Sequence, residues 1–165
     1  MVEEPFESLS EEEVRCLQAF KQYGVKFVVV GGYAVRTHGH LRTTEDLDLL
    51  IDLSPMNLQN LESALGSLGV ENFQEVIEFF ATKPIPKWHW ADGNVDHYVD
   101  LLGVVEHLKF DDVVRTAVEV QHDELRLLVI SKPQLIDIKE RALARGSRGD
   151  KAQQDREDIS ALKAK

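Results

Sequence analysis

The stretch that most constrains the fold of this chain is residues 27–52, which reads FVVVGGYAVRTHGHLRTTEDLDLLID. Its first four residues are apolar and predict a buried strand, which runs into Gly31-Gly32. A short helical turn over residues 33–38 and a polar loop follow. A second strand then begins close to Asp46 and Asp48. This order of strand, turn, helix and strand predicts an α/β fold.

Asp46 and Asp48 are predicted to lie on one face of the second strand, because residues two apart on a strand point to the same side. Leu47 and Leu49 then point into the core. Two carboxylates side by side repel each other and resist joint ionisation, and a bound cation relieves that repulsion. All-oxygen ligands favour a hard divalent ion, so the predicted metal is Mg²⁺.

Gly31 and Gly32 supply the complementary half of a site. Glycine allows a sharp strand-to-helix turn and the close approach of a ligand to the backbone. The helix that follows offers free N–H groups and the positive end of its dipole, which together attract anions. The combination with the two aspartates predicts binding of a triphosphate together with its metal.

The order of these residues resembles a known signature. Gly31-Gly32, the histidine-glycine pair, and Arg42-x-Thr44-x-Asp46-x-Asp48 are similar to the motif of the nucleotidyltransferase (DNA polymerase beta-like) superfamily. The resemblance is strongest to its small AbiEii-like toxins and minimal nucleotidyltransferases, although many relatives have serine in the place of Gly32. It implies two Mg²⁺ ions held partly by the two aspartates, and phosphates cradled by Gly31, Gly32 and the Tyr33 N–H.

The third carboxylate that the resemblance implies is assigned to Asp100, with Asp96 as the alternative. Residues 99–103 read VDLLG, which resembles the family's third-carboxylate strand, and a carboxylate between apolar neighbours is hard to explain by packing alone. We expect this strand to pair with residues 88–90 in a hairpin that turns at Asp92-Gly93.

Two cations are candidate phosphate ligands, Arg42 and Lys139. Arg42 either steers a phosphate or braces the motif loop, which is the polar loop of residues 39–45, against a carboxylate. Residues 129–162 resemble the family's second signature, which implies that Lys139 reaches the triphosphate or organises the site. Without that resemblance, Lys139 reads as a solvated helix residue paired with Asp137 or Glu140. Four residues of the tail are predicted to form an interhelical ion-pair network: Arg148, Asp150, Asp155 and Asp158.

Local signals place several further elements. Ser10 and Glu13 form a predicted capping box, and that helix should end at Gly24. Ser54-Pro55 begins a helix that stops at Gly69, and Ser131 caps the helix that carries Lys139. Residues 71–81 fit a helix or a strand equally well. We expect a short helix over residues 110–117 and a hairpin between residues 118–120 and 125–130.

Charge and composition exclude several classes of protein. The 165 residues carry a net charge of −10, which argues against a general DNA- or RNA-binding protein. Residues 1–131 hold 10 basic and 23 acidic residues, whereas residues 132–165 hold 9 and 6, so the only net-basic part is the tail. The lone Cys16, predicted to be buried, and the acidic start of the chain favour a cytoplasmic protein without a signal peptide. No apolar run is long enough to span a membrane.

These observations predict one nucleotidyltransferase-like domain over residues 1–165, with a core at about 10–130 and a helical segment at about 131–165. The fold is a twisted mixed sheet flanked by helices, with a C-terminal helical pair. The predicted reaction moves a nucleoside monophosphate from a nucleoside triphosphate to the hydroxyl of a protein, tRNA or small molecule. The chain is then a candidate toxin with an antitoxin partner. A non-catalytic nucleotide-binding or interaction module and another D-x-D metal enzyme are the alternatives.

Overall fold

The computed structural model describes residues 4–90 and 98–164. Its helices are α1 Glu11–Gln22, α2 Gly31–Thr37, α3 Pro55–Ser67, α4 Phe73–Thr82, α5 Phe110–Val114, α6 Lys132–Arg145 and α7 Ala152–Lys163. Its strands are β1 Phe27–Val30, β2 Asp46–Ile51, β3 Lys87–Trp90, β4 Tyr98–Leu102, β5 Val118–His122 and β6 Leu125–Val129. A short 3-10 turn, Gly149–Lys151, precedes α7.

The helix starts confirm the predicted capping residues. Ser10 Oγ accepts the Glu13 N–H at 3.1 Å, and the Glu13 carboxylate accepts the Ser10 N–H at 2.8 Å. Ser54 and Ser131 cap α3 and α6 by accepting the N–H of the residue three positions later, and each helix has proline in its first turn. Gly24 follows α1 with a φ of +72°. The ambiguous residues 71–81 fall mostly in the helix α4, because their apolar side chains lie against the neighbouring helix α3.

The six strands form one mixed sheet in the order β3-β4-β2-β1-β6-β5. The two hairpin pairs, β3 with β4 and β5 with β6, are antiparallel and lie at the two ends of the sheet. In the centre, β1 is antiparallel to β2, while β2 with β4 and β1 with β6 are parallel. The predicted mixed sheet flanked by helices is confirmed, and so is the C-terminal helical pair, since α6 packs against α7.

The core lies around the two central strands. All four residues of β1 are buried, so both faces of that strand are covered. In β2, exposed and buried side chains alternate only over the first four residues. Asp46 and Asp48 are partly exposed, whereas Leu47 and Leu49 are fully buried. The prediction that both aspartates share one face is therefore confirmed. Cys16 lies buried in α1, and burial raises the pKa of its thiol.

Some boundaries differ from the sequence expectations. The helix predicted over residues 110–117 ends at Val114, and the returning strand of the hairpin is described from Tyr98. The expected turn at Asp92-Gly93 and the alternative carboxylate Asp96 lie outside the described residues. Within the described part of the chain, no helix has both the length and the apolar character needed to cross a membrane.

Candidate active site

Three aspartates meet on one face of the sheet, and we call them the carboxylate cluster: Asp46, Asp48 and Asp100. The parallel register of β2 and β4 places Asp48 directly opposite Asp100. Residues opposite each other in a sheet project to the same face, and Asp46 shares that face because it lies two residues before Asp48. The structure thus brings together the three carboxylates that the sequence singled out.

The electrostatics of the carboxylate cluster are unfavourable to full ionisation. Burial, together with the charge and the hydrogen bond of Asp100, raises the pKa of Asp48 to about 8. Burial and the Asp100 charge also raise the pKa of Asp46 above its ordinary value. Asp48 therefore favours its protonated form near neutral pH more than an ordinary carboxyl group does. Perturbed carboxylates beside a cavity are typical of functional sites.

The Gly31-Gly32 turn is required by what faces it. Gly31 has a φ of +71°, and a Cβ there would lie 2.0 Å from Asp48 Oδ2. A Cβ on Gly32 would lie 2.2 Å from the Thr44 hydroxyl. Any side chain would therefore displace the carboxylate or the motif loop. Thr44 occupies the space that a serine side chain at position 32 would need, which explains why this chain has glycine there.

Tyr33 packs in the hydrophobic core next to the glycine turn. Its side chain is fully buried, stacks on Phe6 with a centroid distance of 5.4 Å, and lies 3.2 Å from the Ser8 hydroxyl. Burial raises the pKa of Tyr33 to about 12. The predicted phosphate contact through the Tyr33 N–H remains compatible with this position, because the first N–H groups of a helix have no acceptor within it.

A second group of charges, which we call the ion-pair cluster, joins the motif loop to the C-terminal helices. It consists of Arg42, Lys139, Arg148, Asp155 and Asp158. Arg42 forms a forked pair with Asp158, at 2.7 Å and 3.1 Å. Lys139 Nζ lies 3.2 Å from Asp155 and 3.0 Å from Asp158, and Arg148 Nε lies 2.6 Å from Asp155. Both carboxylates are essentially inaccessible to solvent.

The predicted network is therefore confirmed for Arg148, Asp155 and Asp158, but not for Asp150. Asp150 is exposed and forms no ion pair with a described residue. Burial alone would raise the pKa of Asp155 and of Asp158, yet their cationic partners outweigh it and lower both pKa values. The local alternatives for Lys139, Asp137 and Glu140, are wrong, because its partners lie on α7 and the lysine is only 8% exposed.

Arg42 braces the loop, as one of its two predicted roles required. A buried neighbour, Arg36, supports the same loop by donating to the Arg42 carbonyl at 2.8 Å and to the Pro5 carbonyl at 2.8 Å. His38, which follows α2, contacts the Ile130 carbonyl at 2.7 Å. The motif loop is thus fixed from several sides before any ligand binds.

Two connected cavities open onto the carboxylate cluster. The larger, of about 460 Å³, is lined by Gly31, Gly32, the motif loop and the residues that begin α7. The smaller, of about 210 Å³, contains Asp100 and has an aliphatic wall that includes Leu135 and Ile138. Asp46, Asp48 and Lys139 line both. The larger cavity suits a polyphosphate, and the smaller one suits a partly apolar group.

Three site residues were missed by the sequence analysis: Lys87, His89 and Lys151. His89 Nδ1 lies 2.5 Å from Asp100 Oδ1, because β3 places the two residues opposite each other. Lys87 faces the smaller cavity and Lys151 lines both cavities. A two-residue turn at Asp92-Gly93 would set His89 opposite Asp96, so the predicted hairpin did not indicate the contact with Asp100. The lysines have no sequence signal of their own.

The donors of the carboxylate cluster suit a hard divalent cation. Asp46, Asp48 and Asp100 provide only oxygen ligands, and a bound cation would relieve the repulsion that raises the pKa of Asp48. Within the described residues, no three His, Cys, Asp or Glu side chains converge on one point as metal ligands. The three carboxylates must therefore reorient slightly for one ion to contact all of them.

Comparison with solved structures places this fold among nucleotidyltransferases. An antigenic nucleotidyltransferase-like protein from Paracoccidioides brasiliensis is 19% identical, with a TM-score of 0.55 over 92% of this chain and 74% of its own. The lincosamide antibiotic adenylyltransferase LnuA, solved with lincomycin bound, is 18% identical, with a TM-score of 0.52 over 94% of this chain and 96% of its own. No curated protein matches the sequence.

The sequence model of the family described as "Nucleotidyl transferase AbiEii toxin, Type IV TA system" matches residues 15–153. That span includes the glycine turn, the whole carboxylate cluster and Lys139. Since the match covers most of the chain, this protein belongs to the AbiEii family of nucleotidyltransferase toxins.

Proposed function

We propose that this chain transfers a nucleoside monophosphate from a nucleoside triphosphate to an acceptor hydroxyl and releases pyrophosphate. One observation carries the proposal: the β2–β4 register sets Asp48 opposite Asp100, with Asp46 on the same face and a cavity above them. A chain that buries like charges gives up stability, and sites of that kind are usually kept for function.

Asp46, Asp48 and Asp100 would hold Mg²⁺, with two ions in the active complex. When bound, the ions would neutralise the triphosphate and activate the attacking hydroxyl. The chain itself fixes the carboxylates on adjacent strands, so that little reorganisation is needed during reaction. His89 holds Asp100 in one orientation through its 2.5 Å contact.

The phosphates would lie against the first turn of α2. The N–H groups of Gly31, Gly32 and Tyr33 would donate to phosphate oxygens, which lie close to the backbone because the glycines carry no side chain. Arg42 and Lys139 would add positive charge to the wall of the larger cavity, although each is also bound to a carboxylate of the ion-pair cluster.

The chemical step would be a displacement at the α-phosphorus. The acceptor oxygen forms a bond to that phosphorus as the bond to the bridging oxygen breaks, and pyrophosphate leaves with the electron pair. Asp100 would accept the hydroxyl proton, because it lines the smaller cavity and not the larger one, where the phosphates would bind.

The family description supports a role as the toxin of a toxin–antitoxin pair, with an antitoxin as partner. The acceptor is a protein, a tRNA or a small molecule. The net charge of −10 favours a protein or small molecule over tRNA. LnuA, which shares the fold, holds a small antibiotic. The single buried Cys16 is consistent with action in the reducing cytoplasm.

Thermal unfolding with each of the four nucleoside triphosphates, with and without Mg²⁺, tests this proposal. A ligand present at about 100 times its Kd stabilises the folded state by about 2.7 kcal/mol. For a domain of this size that raises Tm by roughly 5–10 °C. We expect this shift with at least one triphosphate, only with Mg²⁺, and not in the Asp46→Asn/Asp48→Asn variant.

The control is Asp111→Asn, which removes an exposed carboxylate remote from both cavities and should leave the shift unchanged. If the double variant keeps the full shift, the nucleotide does not bind at the carboxylate cluster. Stabilisation that is independent of Mg²⁺ would favour the non-catalytic nucleotide-binding module.

A further inference from the structure

The cations around the two cavities fall into two groups that differ in what they contact. Arg42, Lys139 and Arg148 are all bound to Asp155 or Asp158 at 2.6–3.2 Å. These three cations and two carboxylates leave one net positive charge. A fully ionised triphosphate carries about four negative charges, and a carboxylate cluster adds more. The ion-pair cluster alone therefore supplies little charge to a polyphosphate.

The other group is Lys87 and Lys151. Within residues 4–90 and 98–164, neither lysine has an acidic side chain within ion-pair distance. Lys87 lines only the smaller cavity, whereas Lys151 lines both cavities. The positive charge of Lys151 acts on Asp46 and partly offsets the rise in the pKa of that carboxyl. Among the described residues that line the larger cavity, Lys151 is therefore the cation without an ion-pair partner.

The fold fixes the backbone of Lys151 while leaving its side chain exposed. Lys151 ends the 3-10 turn Gly149–Lys151, and Gly149 enters that turn with a φ of +56°. Arg148, immediately before the turn, is anchored to Asp155 by two contacts of 2.6 Å and 3.3 Å. The ammonium group thus extends from an anchored turn into the cavity. A lysine placed in this way provides a mobile point charge for a phosphate.

We propose that Lys151 binds the β- and γ-phosphates of the nucleotide and stabilises the departing pyrophosphate. The proposal rests on the proposed function and adds a residue to it. As the acceptor oxygen bonds to the α-phosphorus, the bond to the bridging oxygen breaks and its electron pair moves onto pyrophosphate. The Lys151 ammonium remains protonated throughout and interacts with that growing charge. Lys139 then acts as a positioning residue that holds α6 and α7 together.

Titration calorimetry with three ligands in Mg²⁺ buffer distinguishes binding of the β- and γ-phosphates by Lys151 from a general effect of its positive charge. The ligands are inorganic pyrophosphate, the triphosphate that stabilises wild type, and the matching monophosphate. We expect Lys151→Gln to weaken binding of pyrophosphate and triphosphate at least tenfold, and binding of the monophosphate less than twofold. Lys151→Arg should restore most of the loss.

Lys83→Gln is the matched control, because Lys83 is also exposed but lies at the end of α4, away from both cavities. It should change none of the three affinities. A loss below twofold for pyrophosphate in Lys151→Gln overturns the proposal, as does an equal loss for the monophosphate. In both cases wild type still binds the triphosphate, so the proposed function stands. If wild type binds no triphosphate at all, the proposed function and the role of Lys151 fail together.

Discussion

The carboxylate cluster and the ion-pair cluster border the same cavity, but the electrostatic surroundings of their carboxylates are opposite. Asp155 and Asp158 are compensated by three cations, and their pKa values are lowered. Asp46 and Asp48 lie beside another carboxylate, and their pKa values are raised. One cluster is complete within the folded chain, whereas the other requires a proton or a cation from solution.

The contrast indicates which carboxylates stabilise the fold and which are kept for chemistry. Removing one partner of a compensated buried pair leaves the other partner unpaired and is destabilising. Removing one of several repelling carboxylates relieves repulsion and stabilises the fold while it removes activity. Variants in the two clusters should therefore change the free energy of unfolding in opposite directions.

The largest expected effect is on activity, in Asp48→Asn. We expect nucleotidyl transfer to fall by roughly 10³-fold or more, about 4 kcal/mol of transition-state stabilisation, because a ligand to the metal ions is lost. The same variant should raise the free energy of unfolding at pH 8 by roughly 1–2 kcal/mol, since it removes the repulsion with Asp100. Urea unfolding and a transfer assay measure the two effects. A variant that is both inactive and less stable would contradict the assignment of this carboxylate to chemistry.

The next largest effect is on stability, in Asp158→Asn. This substitution keeps the size of the side chain but leaves Arg42 and Lys139 without full compensation. We expect the free energy of unfolding to fall by about 3 kcal/mol. Glu157→Asn, at an exposed neighbouring position of α7, is the control and should change stability by less than about 0.5 kcal/mol. A loss for Asp158→Asn as small as that of the control would mean that the cluster does not hold the C-terminal helices.

A smaller effect that should distinguish the two clusters is the pH dependence of the free energy of unfolding. The folded pKa values of Asp155 and Asp158 are lowered, so their contribution is present above pH 4 and is lost as the pH falls through those values. The folded pKa of Asp48 is raised to about 8, so its contribution is greatest below pH 4 and is lost as the pH rises to 8. Without divalent ions, wild type should be most stable near pH 5.

Denaturant unfolding between pH 3 and pH 9 in a chelating buffer measures this profile. We expect Asp48→Asn to flatten the alkaline limb and Asp158→Asn to flatten the acid limb. If Asp48→Asn leaves the alkaline limb unchanged, the repulsion within the carboxylate cluster does not limit stability.

The sequence predicted the structural features that depend on residues close to one another in the chain. The common face of Asp46 and Asp48 follows from the period of a strand, and the starts of α1, α3 and α6 follow from their capping serines. The pairing of Asp48 with Asp100 depends on which strands are adjacent in the sheet, so only the family resemblance indicated it. The roles of the site residues and the division at about residue 130 stay predictions.

Lys139 shows that the nearest opposite charges in the sequence do not identify the ion-pair partners of a residue. Its sequence neighbours Asp137 and Glu140 offered the nearest opposite charges, but the fold brings α7 against α6 and provides Asp155 and Asp158 instead. Lys151 is the reverse case, since a lysine in a glycine-rich turn next to Asp150 has no distinguishing pattern. Its significance appears only when the structure shows that the other cations of the larger cavity are bound.

The most direct test of nucleotidyl transfer follows the α- and γ-phosphorus atoms of the nucleotide. The nucleoside triphosphate that stabilises wild type is supplied with label at its α- or γ-phosphate, together with Mg²⁺ and fractionated bacterial protein, RNA and small molecules. We predict that α-label becomes covalently attached to an acceptor and that γ-label is recovered as pyrophosphate, with neither event in Asp48→Asn. Transfer of γ-label to the acceptor, or equal transfer of α-label by Asp48→Asn, would contradict nucleotidyl transfer at the carboxylate cluster.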